Sequence, residues 1–236
     1  MFRQVLGYAV RSRMLSANPA TDIDLPRKPV GDRRYLTDQQ VSDLAVECGE
    51  YDALVLVLAY CGLRWGEVTA LKRGDVEFDR GRIEVTGAVE KVGKQYRLGT
   101  TKTHERRSVP IPPPVLTLLR ERIGSKASDK LVFPGAAGFL KNYEFRKVFD
   151  PAAARAGVGG LAPQELRHTC ASLAIASKAN VKVVQRLLGH ATATMTLDRY
   201  GHLYPDELDD VAEQMGAACV YPVRTGCTEK LSELAV

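Results

Sequence analysis

Apolar residues recur at intervals of three and four through most of this chain, and in one stretch the interval shortens to two. The longer period is already present in residues 1–17, where Val5, Leu6, Tyr8, Ala9 and Val10 lie among Arg3, Arg11 and Arg13. It gives way to "SANPATDIDLPRKPVGDRR", rich in prolines, turn formers and cations, which reads as a helix end followed by a linker. Thr37, followed three residues later by Gln40, has the capping-box pattern and opens a helix to about Glu47. An apolar helix follows over 52–61 and stops at Gly62, and Val68 and Leu71 space a third over 64–71.

The period then changes. Residues 76–111, "VEFDRGRIEVTGAVEKVGKQYRLGTTKTHERRSVPI", alternate β-branched and polar positions around turns at "DRGR" and "VGKQ", which predicts three antiparallel strands. Beyond Pro112 the helical period returns over about 113–123, 142–156, 163–177, 180–189, 193–200 and 205–217, and residues 218–236 form a mixed tail. No repeat or low-complexity segment interrupts this pattern. The expected fold class is mainly α with a small antiparallel three-stranded sheet, an α+β domain.

Composition narrows the field. A chain of 236 residues, 45% hydrophobic, can bury a sizeable core, which argues against general disorder. A formal net charge of +5 and a pI near 8.9 are compatible with a polyanionic partner without requiring one. The cysteines are Cys48, Cys61, Cys170, Cys219 and Cys227, an odd number with no C-x-x-C pair, so neither a disulfide framework nor a zinc ribbon is suggested. The longest apolar run, "ALVLVLAYCGL", is too short to span a bilayer, and no basic-then-apolar signal opens the chain. The expectation is a soluble cytoplasmic protein with no membrane partner.

Three stretches place cations where a buried stripe would otherwise run: "CGLRWGE" (61–67), "QELRHT" (164–169) and "LLGHATATMTLDRYGHL" (187–203). An arginine on an apolar helix is costly to bury without an anionic partner. A planar guanidinium, always charged, holds two oxygens of a phosphate at once, which suits Arg64 and Arg167, with Glu67 a possible internal counter-ion. Tyr200 stands near a helix end beside Arg199 and His202, and a phenol there is either a packing group or a nucleophile. His190 follows Gly189, a helix-ending glycine, and from that turn can donate to a phosphate oxygen. Zinc ligation by these histidines is weakly supported, since no cysteine or acid stands nearby at regular spacing.

Taken in order, these stretches resemble the catalytic boxes of the tyrosine recombinases, the phage-integrase family: G-L-R-x-G-E, then H-x-L-R-H, L-G-H and a terminal T-x-x-x-Y. "TKTHERRSVPI" (101–111) resembles the family's K-T-x-x-x-x-R-x-V-P strand, and "YAVRSRMLSANPA" (8–20) the end of its separate core-binding domain. The chain departs at one position, with Gln164 where the family has its first histidine. The resemblance implies a tyrosine-recombinase catalytic domain over 33–217, a remnant of the preceding domain and its linker over 1–32, and a tail over 218–236.

It also implies roles. Tyr200 would attack the scissile phosphate to form a 3′-phosphotyrosine, Arg64, Arg167 and His190 would hold the phosphate, and Lys102 would protonate the departing 5′ oxygen. Glu67 and His168 would support them. Gln164 can donate through its amide but does not titrate, so a slowed reaction, or removal of the phenolic proton by His168, His104 or water, stays open. Lys94, Arg97, Arg106 and Arg107 either follow a DNA backbone or form a solvated face. The implied partners are duplex DNA, further copies of the chain in a tetramer and an accessory DNA-bending protein, with no cofactor. The rival functions are a type IB topoisomerase-like activity and a DNA-binding relative weakened in catalysis.

Overall fold

The computed structural model describes residues 2–21, 23, 34–93, 95–99, 106–205 and 208–218. They fall into two units, Met1–Arg33 and Arg34–Val236. In the first, helix α1 (Phe2–Arg11) buries none of its residues. The turn after it folds back through Asn18, whose amide donates to the Arg3 carbonyl at 3.1 Å, while the Arg3 guanidinium donates to the Thr21 carbonyl at 2.5 Å.

The second unit opens with α2 (Asp38–Glu47), and Thr37 and Gln40 cap it reciprocally, as their spacing predicts. Helix α3 (Asp52–Leu56) continues as a widened π turn over Val57–Cys61, and Gly62 ends it with φ of +60°. Helix α4 (Trp65–Ala70) follows at once. The β region then holds five strands, β1 (Val76–Glu77), β2 (Arg82–Val85), β3 (Ala88–Val92), β4 (Gln95–Gly99) and β5 (Arg107–Pro110). They form a three-stranded antiparallel sheet in the order β1-β2-β5 and a separate β3-β4 hairpin, rather than three strands in one sheet.

The difference lies in pairing. The turns fall where the sequence puts them, but β2 pairs with β1 on one side and, skipping the β3-β4 hairpin, with β5 on the other, setting Ile83 opposite Val109 and Val85 opposite Arg107. A further two-stranded hairpin, β6 (Pro134–Gly135) with β7 (Gly138–Phe139), follows α5 (Pro113–Ile123) and has no counterpart in the sequence-based expectation. The remaining helices are α6 (Asn142–Arg155), α7 (Leu166–Ala176), α8 (Val181–Leu188), α9 (Ala193–Tyr200) and α10 (Leu208–Ala218). The helix expected over 163–177 begins instead as a one-turn 3₁₀ segment, Pro163–Glu165.

Two apolar clusters organise these elements. The larger gathers Leu44, Leu54, Leu58, Leu63, Ile83, Leu119, Phe145, Phe149 and Leu166. The smaller gathers Cys170, Ala171, Ile175, Val184, Leu188 and Tyr200. Helix α7 belongs to both, with Leu166 in the first and Cys170, Ala171 and Ile175 in the second. Arg167 and His168 therefore sit where the two clusters meet. Lys94, Lys102, His104 and the tail beyond Ala218 lie outside the described residues.

Candidate active site

Helix α8 ends at Leu188, and Gly189 turns the chain with φ of +62°. A helix C-terminus leaves carbonyls without intrahelical donors and carries the negative end of the macrodipole, so it attracts cations. Both box arginines use it. Arg64 donates to the Gly189 carbonyl at 3.0 Å, and Arg167 donates to the carbonyls of Leu188 and Gly62. The Gly62 carbonyl is available because the π turn ends there in a left-handed residue, where a Cβ would lie 2.9 Å from Cys170 Sγ.

Arg167 is 5% exposed, and burial together with the nearby charge of Arg64 lowers its pKa to about 10, leaving it charged at neutral pH. The hydrogen bonds of Arg167 go to carbonyls and not to the Glu67 carboxylate, whose negative charge acts on it from nearby without a direct bond. Two of the five N–H groups of Arg167 go to the carbonyls.

Glu67, buried at 3% exposure, ties two other arginines together. Its carboxylate accepts from the Arg64 amide and guanidinium, both at 2.8 Å, and from two nitrogens of Arg107 at 2.9 and 2.7 Å. Burial alone would raise the carboxyl's pKa. The bonds and charge of Arg107, reinforced by Arg64, outweigh it and hold the value at about 2. Arg107 is thus a site residue that its reading as a DNA-tracking or solvated surface cation missed. The signal was available in the period of two: Arg107 has the same parity as buried Val109, so its side chain points to the inner face of the sheet, while Arg106 is exposed. Arg107 also packs against Gly189, where a Cβ would lie 2.9 Å from its Cδ.

Tyr200 closes the arrangement from α9. Its ring belongs to the smaller cluster and is 1% exposed. Two imidazoles flank it. The His190 ring is parallel to it within 3° at a centroid separation of 6.3 Å, and His168 Nδ1 lies 2.8 Å from the hydroxyl. His190 Nδ1 lies 2.9 Å from the buried Thr196 hydroxyl, one helical turn before Tyr200. Burial, with Arg167, Arg199, Arg64 and Arg107 around it, lowers the His190 pKa to about 4, so the ring is neutral at pH 7. A neutral imidazole donates from one nitrogen. For Nε2 to carry the proton, the Thr196 hydroxyl must donate to Nδ1.

Arg64, Glu67, Arg167, His168, His190 and Tyr200 are therefore brought together by the ends of α3, α4, α7, α8 and α9. Gln164 stands apart from that group's hydrogen bonds, exposed on the 3₁₀ turn. Arg167 and His168 diverge, one to carbonyls and the other to Tyr200, so adjacent positions of α7 serve different partners. Among the described residues, no cluster of three or more His, Cys, Asp or Glu side chains is placed to hold a metal ion, and no helix is long and apolar enough to cross a membrane.

This geometry accords with the comparisons. The sequence profile of the phage integrase family matches residues 34–207, most of the chain, and the chain belongs to that family. It is similar to the integrase of Mycobacterium phage D29, at 28% identity over 207 residues, covering 84% of this chain and 55% of that protein. The tyrosine recombinase XerD of Rickettsia bellii is 27% identical over 222 residues, covering 85% of this chain and 70% of that one. Among solved structures, the catalytic domain of bacteriophage HP1 integrase superposes with a TM-score of 0.56 at 24% identity, covering 84% of this chain and all of that one. The Tn1549 transposon integrase, solved with a circular intermediate DNA, gives 0.73 at 19% identity, covering 92% of this chain and 76% of that one. The chain spans about half the length of several phage-type relatives, 55% of the D29 protein and 42% of the phiRv2 prophage integrase of Mycobacterium tuberculosis.

Proposed function

We propose that this chain is the catalytic part of a site-specific recombinase that cuts and rejoins duplex DNA through a 3′-phosphotyrosine. The observation that carries the reading is the hub at Leu188–Gly189–His190, which anchors two guanidiniums and one imidazole beside a buried tyrosine hydroxyl. Charge develops on the non-bridging oxygens as phosphorus becomes pentavalent, and preorganised donors stabilise it without reorganising at the moment of reaction. Arg64, Arg167 and His190 supply those donors, and Gln164 adds an amide. Tyr200 attacks and Lys102 protonates the 5′ oxygen. Glu67 holds Arg64 in place, and the chemistry needs no cofactor.

Residues 1–32 then belong to a preceding DNA-binding domain and its linker, residues 33–217 to the catalytic domain and 218–236 to a tail that joins copies of the chain. The DNA-bound assembly is a tetramer in the cytoplasm, aided by a DNA-bending protein. The test is covalent trapping on a pool of nicked duplexes of randomised sequence. The wild-type chain should yield an adduct that survives denaturant and maps to the Tyr200 peptide, and Tyr200→Phe should yield none. An adduct from the phenylalanine variant would show that the nucleophile is another residue. Supercoiled plasmid separates a topoisomerase-like enzyme, which would relax it without exchanging strands between duplexes.

A further inference from the structure

The nucleophile must lose a proton, and the residue at the family's first histidine position, Gln164, has no titrating group to take it. The structure offers another acceptor. His168 projects from the first turn of α7, and its Nδ1 lies 2.8 Å from the Tyr200 hydroxyl, with the two ring centroids 5.8 Å apart. That separation lies within the reach a general base needs from the proton it abstracts. Both partners are held from behind. Tyr200 is packed against Cys170, Ala171 and Leu188, while Arg167, the neighbour of His168, is pinned to two carbonyls that fix the start of α7.

We infer that His168 is a catalytic residue of this chain, the group that receives the phenolic proton of Tyr200 and returns it on religation. The inference rests on the strand-cleavage reading above. With its own proton on Nε2, the ring accepts at Nδ1. In the forward step the O–H proton of Tyr200 passes to Nδ1 as Oη bonds to phosphorus, and the bond from phosphorus to the 5′ oxygen breaks. That oxygen takes its proton from the general acid, Lys102. Religation reverses each transfer: the 5′ hydroxyl returns its proton to the acid, and the imidazolium returns its proton to the phenol. The task is thus moved one helical turn along, from the exposed 3₁₀ segment to a position already bonded to the nucleophile.

His168→Asn separates this role from support, because its amide oxygen lies near the position of Nδ1 and still accepts the phenol's hydrogen bond but cannot hold the proton. On the trapping duplexes its rate of adduct formation should fall by about 10² to 10⁴, with DNA binding and thermal stability close to wild type. An asparagine variant that cleaves at the parental rate would overturn the assignment while leaving Tyr200 chemistry standing. No adduct from the wild-type chain on any duplex would remove the strand-cleavage reading, and the base with it.

The DNA-free protein gives a second measurement that requires no turnover. In nitrogen-15 NMR of labelled histidines, Tyr200→Phe should shift the Nδ1 resonance of His168 toward that of an unbonded imidazole nitrogen. An unmoved resonance would mean that the contact does not exist in solution, and the proposal would fail whatever the kinetics.

Discussion

Glu67→Gln makes a demanding test of the charge network, because it changes the shape of the side chain very little. The carboxylate accepts four hydrogen bonds, one from the Arg64 amide, one from its guanidinium and two from Arg107. A glutamine in the same place has one acceptor oxygen, and its amide N–H groups face guanidinium donors. Two positive charges, with Arg107 at 12% side-chain exposure, then lose their shared anion. Removing one member of a buried ion pair costs about 3–5 kcal/mol.

Proton linkage gives an independent figure. A Glu67 carboxyl held at about 2 against an unfolded value near 4.5 contributes about 3 kcal/mol at neutral pH. The sign follows from the depressed pKa: this stability is fully present above pH 4.5 and is lost as pH falls toward 2. Urea unfolding of both proteins at pH 7 should therefore separate them by about 3 kcal/mol, and the gap should narrow steadily as the buffer is taken from pH 4.5 toward 3. In a double-mutant cycle, Arg107→Met should recover part of the loss, since one of the uncompensated charges is gone. A glutamine variant within about 0.5 kcal/mol of wild type at pH 7 would refute the argument, because no buried pair with this geometry is that weak to sever.

Three further outcomes follow from the same geometry. Thr196→Val should leave His190 Nδ1 without its hydroxyl donor and lower the rate of adduct formation, with a stability cost of about 1–2 kcal/mol, while Thr196→Ser should restore the rate; equal rates for Val and Ser would sever Thr196 from His190. Gly189→Ala forces a Cβ into the left-handed region and against Arg107, so it should cost about 1–2 kcal/mol from the backbone alone and weaken phosphate binding through displaced arginines; an unchanged melting temperature would show that the turn relaxes freely. Because the His190 pKa is lowered to about 4, its contribution to stability should be whole above about pH 6.5 and diminish between 6.5 and 4, a slope that His190→Gln should remove in acid unfolding curves.

How much of this was legible in the sequence depends on whether the information is local. Helices expected over 113–123 and 193–200 match α5 and α9 in extent, because their starts are written into the chain by the prolines after Ile111 and by the Thr192 cap. The same holds for the turns at Gly62 and Gly189, where glycine is the residue that accepts a positive φ without strain. The four boxes placed Arg64, Arg167, His190 and Tyr200 among the candidates before any geometry was available, because spacing along a chain survives folding.

Pairing between distant segments does not survive in that way. Alternation marked 76–111 as β structure, but a strand's period says which face is buried and not which strand lies beside it, so the separation of the β3-β4 hairpin from the β1-β2-β5 sheet was hidden. Arg107 differs: the period of two already sets it on the face of buried Val109, and what the sequence hides is its partner Glu67, 40 residues away along the chain. The partners of Arg167 were hidden more deeply. Every residue carries a carbonyl, so nothing in the letters distinguishes Gly62 and Leu188 as acceptors. What distinguishes them is that a π turn and a helix end leave those two carbonyls unpaired at the place where α7 crosses between the clusters, a property of the packed backbone and of no side chain in the sequence.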